Sequence, residues 1–407
     1  MRSILRHAAL VALVSVPVAF VACVGDEAVQ GTVDAEAPKD AATSDDRATP
    51  TPDAAPTPDA ASPDAAPTCT APTVACGTAC VDLATSGENC GACGRSCGGG
   101  TCTAGQCGVA TVKDNIVDSN GFGIDETSLY YGSADKIFSC PIATCGTASP
   151  KQLVAMVQYA AERPYADSGF FYFQSAPNQA TQRPAIYRCP VAGCPNPPAS
   201  IMSDGLNGIG DYRTFARSAY ANLGGSGVNR VDCASGACGA PGVVVPRPVG
   251  KFAVDAQRVY FEDTTGGGAG LASCPLVGGC ATRTPITTMR VLGGIEVVGN
   301  LVYYVGPGIT QGGMGVYACP TTGGCAAPTP LTRLAGPLGN LAADAKGIFW
   351  TEDDKLQSCS DVACPGGVRT VASGLASVGN VVLDAKFVYF ETTGTAAGSR
   401  AVRRVAR

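Results

Sequence analysis

Cysteine and carboxylate are the two side-chain types in this 407-residue chain placed where they could do chemistry. Glu262, Asp263, Glu352, Asp353, Asp354 and Glu391 each follow closely on an aromatic run, Val259-Tyr260-Phe261, Ile348-Phe349-Trp350 or Val388-Tyr389-Phe390. If the loops carrying them crowd one face, two could act as acid and base in a glycoside hydrolase or lyase, and several could offer oxygen ligands to calcium. The same six residues also read as a solvated acidic rim. Histidine chemistry is excluded more firmly, because the sole histidine is His7, inside an apolar leader. A mature chain without it has no histidine triad, acid–base relay or metal site. Calcium is the ion these carboxylates suggest, and no organic cofactor is indicated.

The 21 cysteines fall into three sets: Cys23 alone, eight between Cys69 and Cys107, and six close pairs. The pairs are Cys140 with Cys145, Cys189 with Cys194, Cys233 with Cys238, Cys274 with Cys280, Cys319 with Cys325, and Cys359 with Cys364. None has the C-x-x-C spacing of a redox motif, so each reads as a structural bridge across one turn.

The leader predicts export. Arg2 and Arg6 precede an apolar stretch from Ala8 to Ala22, too short to span a membrane, so residues 1–22 read as a signal peptide. Phe20-Val21-Ala22-Cys23 resembles a bacterial lipobox, which implies lipidation of Cys23. By the same resemblance, Val24 after that cysteine implies the outer membrane or cell surface; ordinary secretion is the alternative. From Cys23 to Thr68 the chain is rich in Ala, Pro, Thr and Asp, with PDAA at Pro52, Pro58 and Pro63, and too poor in large apolar groups to order itself. It reads as a tether. Four of the 28 basic and ten of the 33 acidic residues precede Pro67, leaving 24 and 23 for the folded part. That balance excludes a basic nucleic-acid footprint.

Residues 69–107 cannot build a sufficient core without staples, and eight cysteines in an exported segment read as four disulfides whose connectivity spacing leaves open. Zinc at Cys90-Gly91-Ala92-Cys93 is the competing reading. The segments Cys80-Val81-Asp82-Leu83 and Asn89-Cys90-Gly91-Ala92-Cys93-Gly94 resemble the small cysteine-rich repeats of surface proteins from myxobacteria and their relatives. That resemblance covers this module only and implies no activity.

Residues 108–407 are an internal repeat. Aromatic runs centred on Tyr130, Tyr172, Tyr220, Tyr260, Tyr303, Phe349 and Tyr389 recur at steps of 42, 48, 40, 43, 46 and 40 residues. Most follow an apolar strand ending in Asp or Asn, as at Asp125, Asp255, Asn300, Asp344 and Asp384, where the side chain is suited to capping its own turn. Four short strands per copy, seven copies and no helical period predict an all-β seven-bladed β-propeller. A solenoid is the alternative repeat fold. Ala110-Thr111-Val112 matches Arg369-Thr370-Val371 ahead of the seventh copy, so an N-terminal strand can complete the last blade. The chain resembles secreted members of the broad propeller superfamily, without the Trp-Asp signature of one branch. Arg400, Arg403, Arg404 and Arg407 read as a solvent-facing strand edge.

The function this supports is a surface-held binding or scaffold module, partnered by a glycan, peptide or envelope protein. A carboxylate-dependent hydrolase or lyase and a purely structural envelope protein are the alternatives. Any ligand is expected on the face carrying the six carboxylates, because the cysteine turns are committed to structure.

Overall fold

The computed structural model describes residues 67–407, apart from 157–158, 178–182, 204–207, 234–235, 265–269, 309–312, 329, 335–337, 360–363 and 365. The signal peptide, Cys23 and nearly all of the tether lie outside the described residues. The described residues belong to one compact unit.

Seven four-stranded antiparallel sheets make up the repeat region. In blade 1 the strands run Ser119–Ile124, Ser128–Ser133, Lys136–Pro141 and Lys151–Ala155, paired in sequence order from innermost to outermost. Blades 2 to 6 repeat that order, with innermost strands Tyr159–Asp167, Ile209–Phe215, Val249–Val254, Ile295–Val298 and Leu338–Asp344. Blade 7 takes Val381–Leu383, Phe387–Thr393 and Ser399–Ala406 from the C-terminal end, and its outermost strand, Ala110–Val117, from before blade 1. The ring is therefore a closed seven-bladed propeller.

Period-two patterning explains how the blades pack, since neighbouring residues of a strand point to opposite faces of its sheet. In the second strand Tyr130 faces blade 2 and Tyr131 faces blade 7, and the same split recurs at Tyr303 and Tyr304 and at Phe349 and Trp350. Among the described residues the buried apolar side chains form seven clusters, one between each pair of adjacent blades.

In blades 1, 4, 6 and 7 the turn after the innermost strand is held by an aspartate. Asp125 accepts from the backbone N–H of Thr127 and Ser128 through one oxygen and from the Tyr130 hydroxyl through the other. Asp255 with Tyr260 and Asp384 with Tyr389 repeat this arrangement. In blade 6 the tyrosine is replaced by Phe349, and Arg407 supplies the missing donor: its guanidinium meets both Asp344 oxygens at 2.5 Å and lies 4.9 Å from the Phe349 ring centroid.

All six close cysteine pairs are disulfides across the turn from third to outermost strand: Cys140–Cys145, Cys189–Cys194, Cys233–Cys238, Cys274–Cys280, Cys319–Cys325 and Cys359–Cys364. Their Cα separations run from 4.0 Å in blade 3 to 5.7 Å in blade 5. The second cysteine of each pair also adds to the packing between blades. Cys145 and Cys280 are buried within their clusters, and Cys364, with a left-handed backbone at φ +50°, packs partly buried against another.

Blade 7 has no such turn. Its place is taken by residues 69–107, which run through Gly108 into Ala110 and are cross-linked Cys69–Cys80, Cys76–Cys93, Cys90–Cys102 and Cys97–Cys107. The two cysteines of the C-x-x-C motif thus go to different partners. Gly98 lies flat on the Phe387 ring and accepts through its carbonyl from Arg404, so close that an added Cβ would stand 2.5 Å from a ring carbon.

The structure corrects the expectation for the C-terminal arginines. Ser399–Ala406 is an interior strand flanked by Phe387–Thr393 and Ala110–Val117, not an edge, because the N-terminal strand covers it. Arg404 then turns to Gly98 and Phe387, Arg407 to Asp344, Arg403 to the Thr392 hydroxyl, and Arg400 to Glu391 and the Ser377 carbonyl.

Candidate functional site

In an up-and-down blade successive turns leave on alternating faces. The aspartate turns and the disulfide turns share one face, and the module joins them there at blade 7. The opposite face carries the turns from second to third strand and the links between blades.

The six carboxylates lie toward that second face but are spread over blades 4, 6 and 7. Asp263, Glu352 and Glu391 end or nearly end second strands and are buried, at 4, 9 and 7 % exposure, so they do not form a solvated rim. Asp263 is ion-paired with Arg283, and Glu391 accepts from the Ser119 hydroxyl at 2.6 Å with Arg400 at 3.6 Å. Glu262 packs on the backbone of Gly250, its carboxylate lying where a Cβ at that position would stand. Asp353 and Asp354 are exposed and form the tight turn of blade 6, where Asp354 accepts from the Gly374 N–H. Among the described residues no three carboxylates converge within 4.8 Å. The one cluster of potential metal ligands is Cys90, Cys97 and Cys102, and all three are in disulfides.

What the fold does bring together lies at the axis. The innermost strands of blades 1, 2, 3, 4 and 6 each slip register, mid-strand in blade 2 and near the beginning in the others, leaving extra residues on the channel side. Pairing with the second strands puts Gly121, Arg163, Asp211, Lys251, Gly294, Asn340 and Asn380 at one equivalent position in the seven blades. Two residues further along stand Gly123, Tyr165, Arg213, Ala253, Glu296, Ala342 and Val382. Most of these line a cavity of about 560 Å³ on the axis. It falls within the size range of small-molecule sites.

Charge is distributed unevenly around this channel. Arg213 reaches past the small Ala253 of blade 4 to bring its guanidinium 3.4 Å from Glu296 of blade 5. Asp211 lies 3.9 Å from both Arg213 and Arg163. Arg213 and Glu296 keep about a quarter of their side chains open to the channel, 25 and 24 %. Burial still pushes the Glu296 carboxyl above its usual value, opposed by Arg213. Burial by itself would lower the Arg213 guanidinium, but Tyr165, Glu296 and Asp211 outweigh it and hold the charge more firmly than usual. The Tyr165 hydroxyl is pushed up by burial and packs edge-on against Tyr212 at 5.1 Å. On the other side, Asn340 donates to Asn380 at 3.5 Å, and Leu341, Ala342 and Val382 give an apolar wall.

None of these channel residues was singled out by sequence reasoning. A signal existed: where other repeats carry Gly or Asn, copies two to four carry Arg163, Asp211 and Lys251. Reading it required the repeat register, including the slip that shifts spacing by one.

No family profile matches the chain, and no characterised protein matches it in sequence. In three dimensions it is similar to the computationally designed protein Ika8, at TM-score 0.45 and 9 % identity over 73 % of this chain and 98 % of that one. It is similar to PorZ, a bacterial surface component of the type-IX secretion system of Porphyromonas gingivalis, at TM-score 0.48 and 13 % identity over 74 % of this chain and 39 % of PorZ. The propeller domain of the Trilobed protease from Pyrococcus furiosus aligns at TM-score 0.49 and 12 % identity over 71 % of this chain and 95 % of that domain.

Proposed function

We propose that this protein is an exported, surface-held binding module that receives its ligand on the face where the channel mouth opens. One observation carries this reading: six disulfide turns and the cysteine-rich module occupy the other face, while the polar ring formed by Arg163, Asp211, Lys251, Asn340 and Asn380 lies toward the face that carries neither among the described residues. Ten disulfides support residence in an oxidising compartment. Lipidation at Cys23 would hold the module at the outer membrane or cell surface through residues 23–68, with residues 108–407 as the recognition domain. The partner is a glycan, peptide or envelope protein.

Bulk placed on either face tests the reading. The full chain is screened on glycan and peptide arrays, then rescreened as Lys251→Trp at the channel mouth and Thr322→Trp on a disulfide turn. Capture is expected to fall for the first and persist for the second; the reverse pattern moves the site to the opposite face. For the anchor, Cys23→Ser is expected to abolish acyl labelling and release the protein from membranes. Unchanged labelling refutes the lipobox.

A further inference from the structure

The site proposed above has a chemistry of its own. Three cations, Arg163, Arg213 and Lys251, and three acids, Asp211, Glu296 and Asp344, line the cavity. Asp344 is held by Arg407, and Arg213 is committed to Asp211 and Glu296, at 3.9 and 3.4 Å. The cations left for a ligand are the outer pair. Arg163 keeps 41 % of its side chain exposed, and Lys251 is exposed and unpaired among the described residues. They stand at equivalent positions on blades 2 and 4, flanking the Asp211 position of blade 3.

A second observation concerns Arg163 alone. Its backbone is left-handed, at φ +48°, where the equivalent residue of blade 1 is Gly121 at φ +94°. An arginine at a position that suits glycine, with a proline after it, is a conformation the chain holds against local preference. Such positions are retained where the side chain has a task. Asp211 is not open to a ligand, because its Oδ2 is buried with Arg213 Nε beside it at 3.9 Å.

We infer that the channel mouth binds a small organic carboxylate. Its anionic end lies between Arg163 and Lys251, and its body rests against Leu341, Ala342 and Val382. Lys251, which has no acid partner among the described residues, matches a single carboxylate; a doubly charged phosphate would bring a second negative charge toward Asp211, which Arg163 already faces at 3.9 Å. The amides of Asn340 and Asn380 supply neutral donors beside it. This inference rests on the channel-face reading.

Benzoate and its neutral isostere benzamide separate charge from shape. Titrated into the full chain by calorimetry, benzoate is expected to bind at least about tenfold more tightly than benzamide, and Lys251→Met and Arg163→Gln are each expected to weaken it by about tenfold. Arg163→Gly is expected to lose the same affinity while keeping or raising the melting temperature, because glycine accepts the left-handed backbone. A protein failing only through misfolding would lose both. Equal binding of the two probes, retained affinity in both charge variants, or no benzoate binding overturns the inference. If benzoate fails while array capture is still blocked by Lys251→Trp alone, the ligand class is wrong and the face stands. If benzoate binds while capture is blocked only by Thr322→Trp, the face reading falls and the carboxylate site survives.

Discussion

Blades 1 to 6 and blade 7 join their third and outermost strands by different means. In the first six, a disulfide closes the turn, and each strand pair is covalently local. In blade 7 the partners come from opposite ends of the repeat region, so no single turn can join them. Backbone pairing between Ala110–Val117 and Ser399–Ala406 closes it, assisted by a side-chain clasp. Asp114 accepts from the Thr395 N–H and hydroxyl, and Asn115 accepts from the Ala396 N–H. Staples are therefore used where the closed loop is short and each adds a modest increment. The closure carries the whole ring without one.

Breaking the closure should have the largest effect. Deleting Val109 to Asp114 is expected to abolish cooperative unfolding of the propeller, measured by calorimetry, whereas deleting residues 24–68 should leave its melting temperature unchanged. Equal behaviour of the two deletions would show that the seventh blade does not close the ring. Removing a staple should matter less. Cys189→Ser with Cys194→Ser is expected to cost roughly 2 kcal/mol in chemical denaturation, the chain-entropy value for so short a loop. Peptide mapping without reduction should find all six pairs closed within their own blades, with Cys145, Cys280 and Cys364 each linked to the cysteine that precedes it in the chain.

Smaller still is the loss of one aspartate-turn partner. Tyr260→Phe leaves one Asp255 oxygen without its 2.8 Å donor and should cost about 1 kcal/mol. Arg407→Ala should cost blade 6 a similar amount, since Arg407 replaces the tyrosine hydroxyl there; a much larger loss would show that Arg407 also serves the closure.

Titration sharpens the comparison from another side. Tyr131 and Tyr389 belong to the one apolar cluster between blades 7 and 1, and burial pushes both hydroxyls up to about 12. A tyrosine in the unfolded chain ionises near pH 10, so the neutral form favoured by folding gives stability that is complete below about pH 10 and lost as pH rises toward about 12. Alkaline conditions should therefore weaken the closure interface, seen as faster exchange of the amides in Ala110–Val117 as pH rises above about 10. At the acid end, burial works against ionisation of Asp125 and Asp344, but hydrogen bonds from Tyr130 and Arg407 hold both carboxyls below the usual range. Their contribution is present above about pH 4 and disappears as pH falls through those lowered values.

The propeller was legible because its signals repeat. Tyr130, Tyr260 and Tyr389 with their upstream aspartates mark the same hairpin three times, and the spacing of Cys140 from Cys145, like that of the five counterpart pairs, suits a local bridge. The module connectivity was not legible, because Cys90 and Cys93 are close in sequence yet belong to different bridges, set by how a coreless segment folds on itself. The carboxylates misled for a related reason. Asp263 and Glu391 look like loop residues after an aromatic run, but the strands extend far enough to bury them against Arg283 and Arg400. The channel charges escaped because Arg163, Asp211 and Lys251 become equivalent only once the register slips are known.

The position of the cysteine-rich module has a mechanical consequence. Any pull on the chain ahead of Cys69 passes through residues 69–107, whose four disulfides limit how far that segment can lengthen, and enters the ring at Ala110. The load then falls along the strand lying antiparallel to Ser399–Ala406. There a pull along the strand is shared among the backbone bonds between Ala110–Val117 and its neighbour, whereas a pull across it opens them one after another from Ala110. Arg404 gripping Gly98 and stacking on Phe387 resists the alternative of peeling the module away sideways. A ring whose two ends pair beside the module takes any such load at its seam.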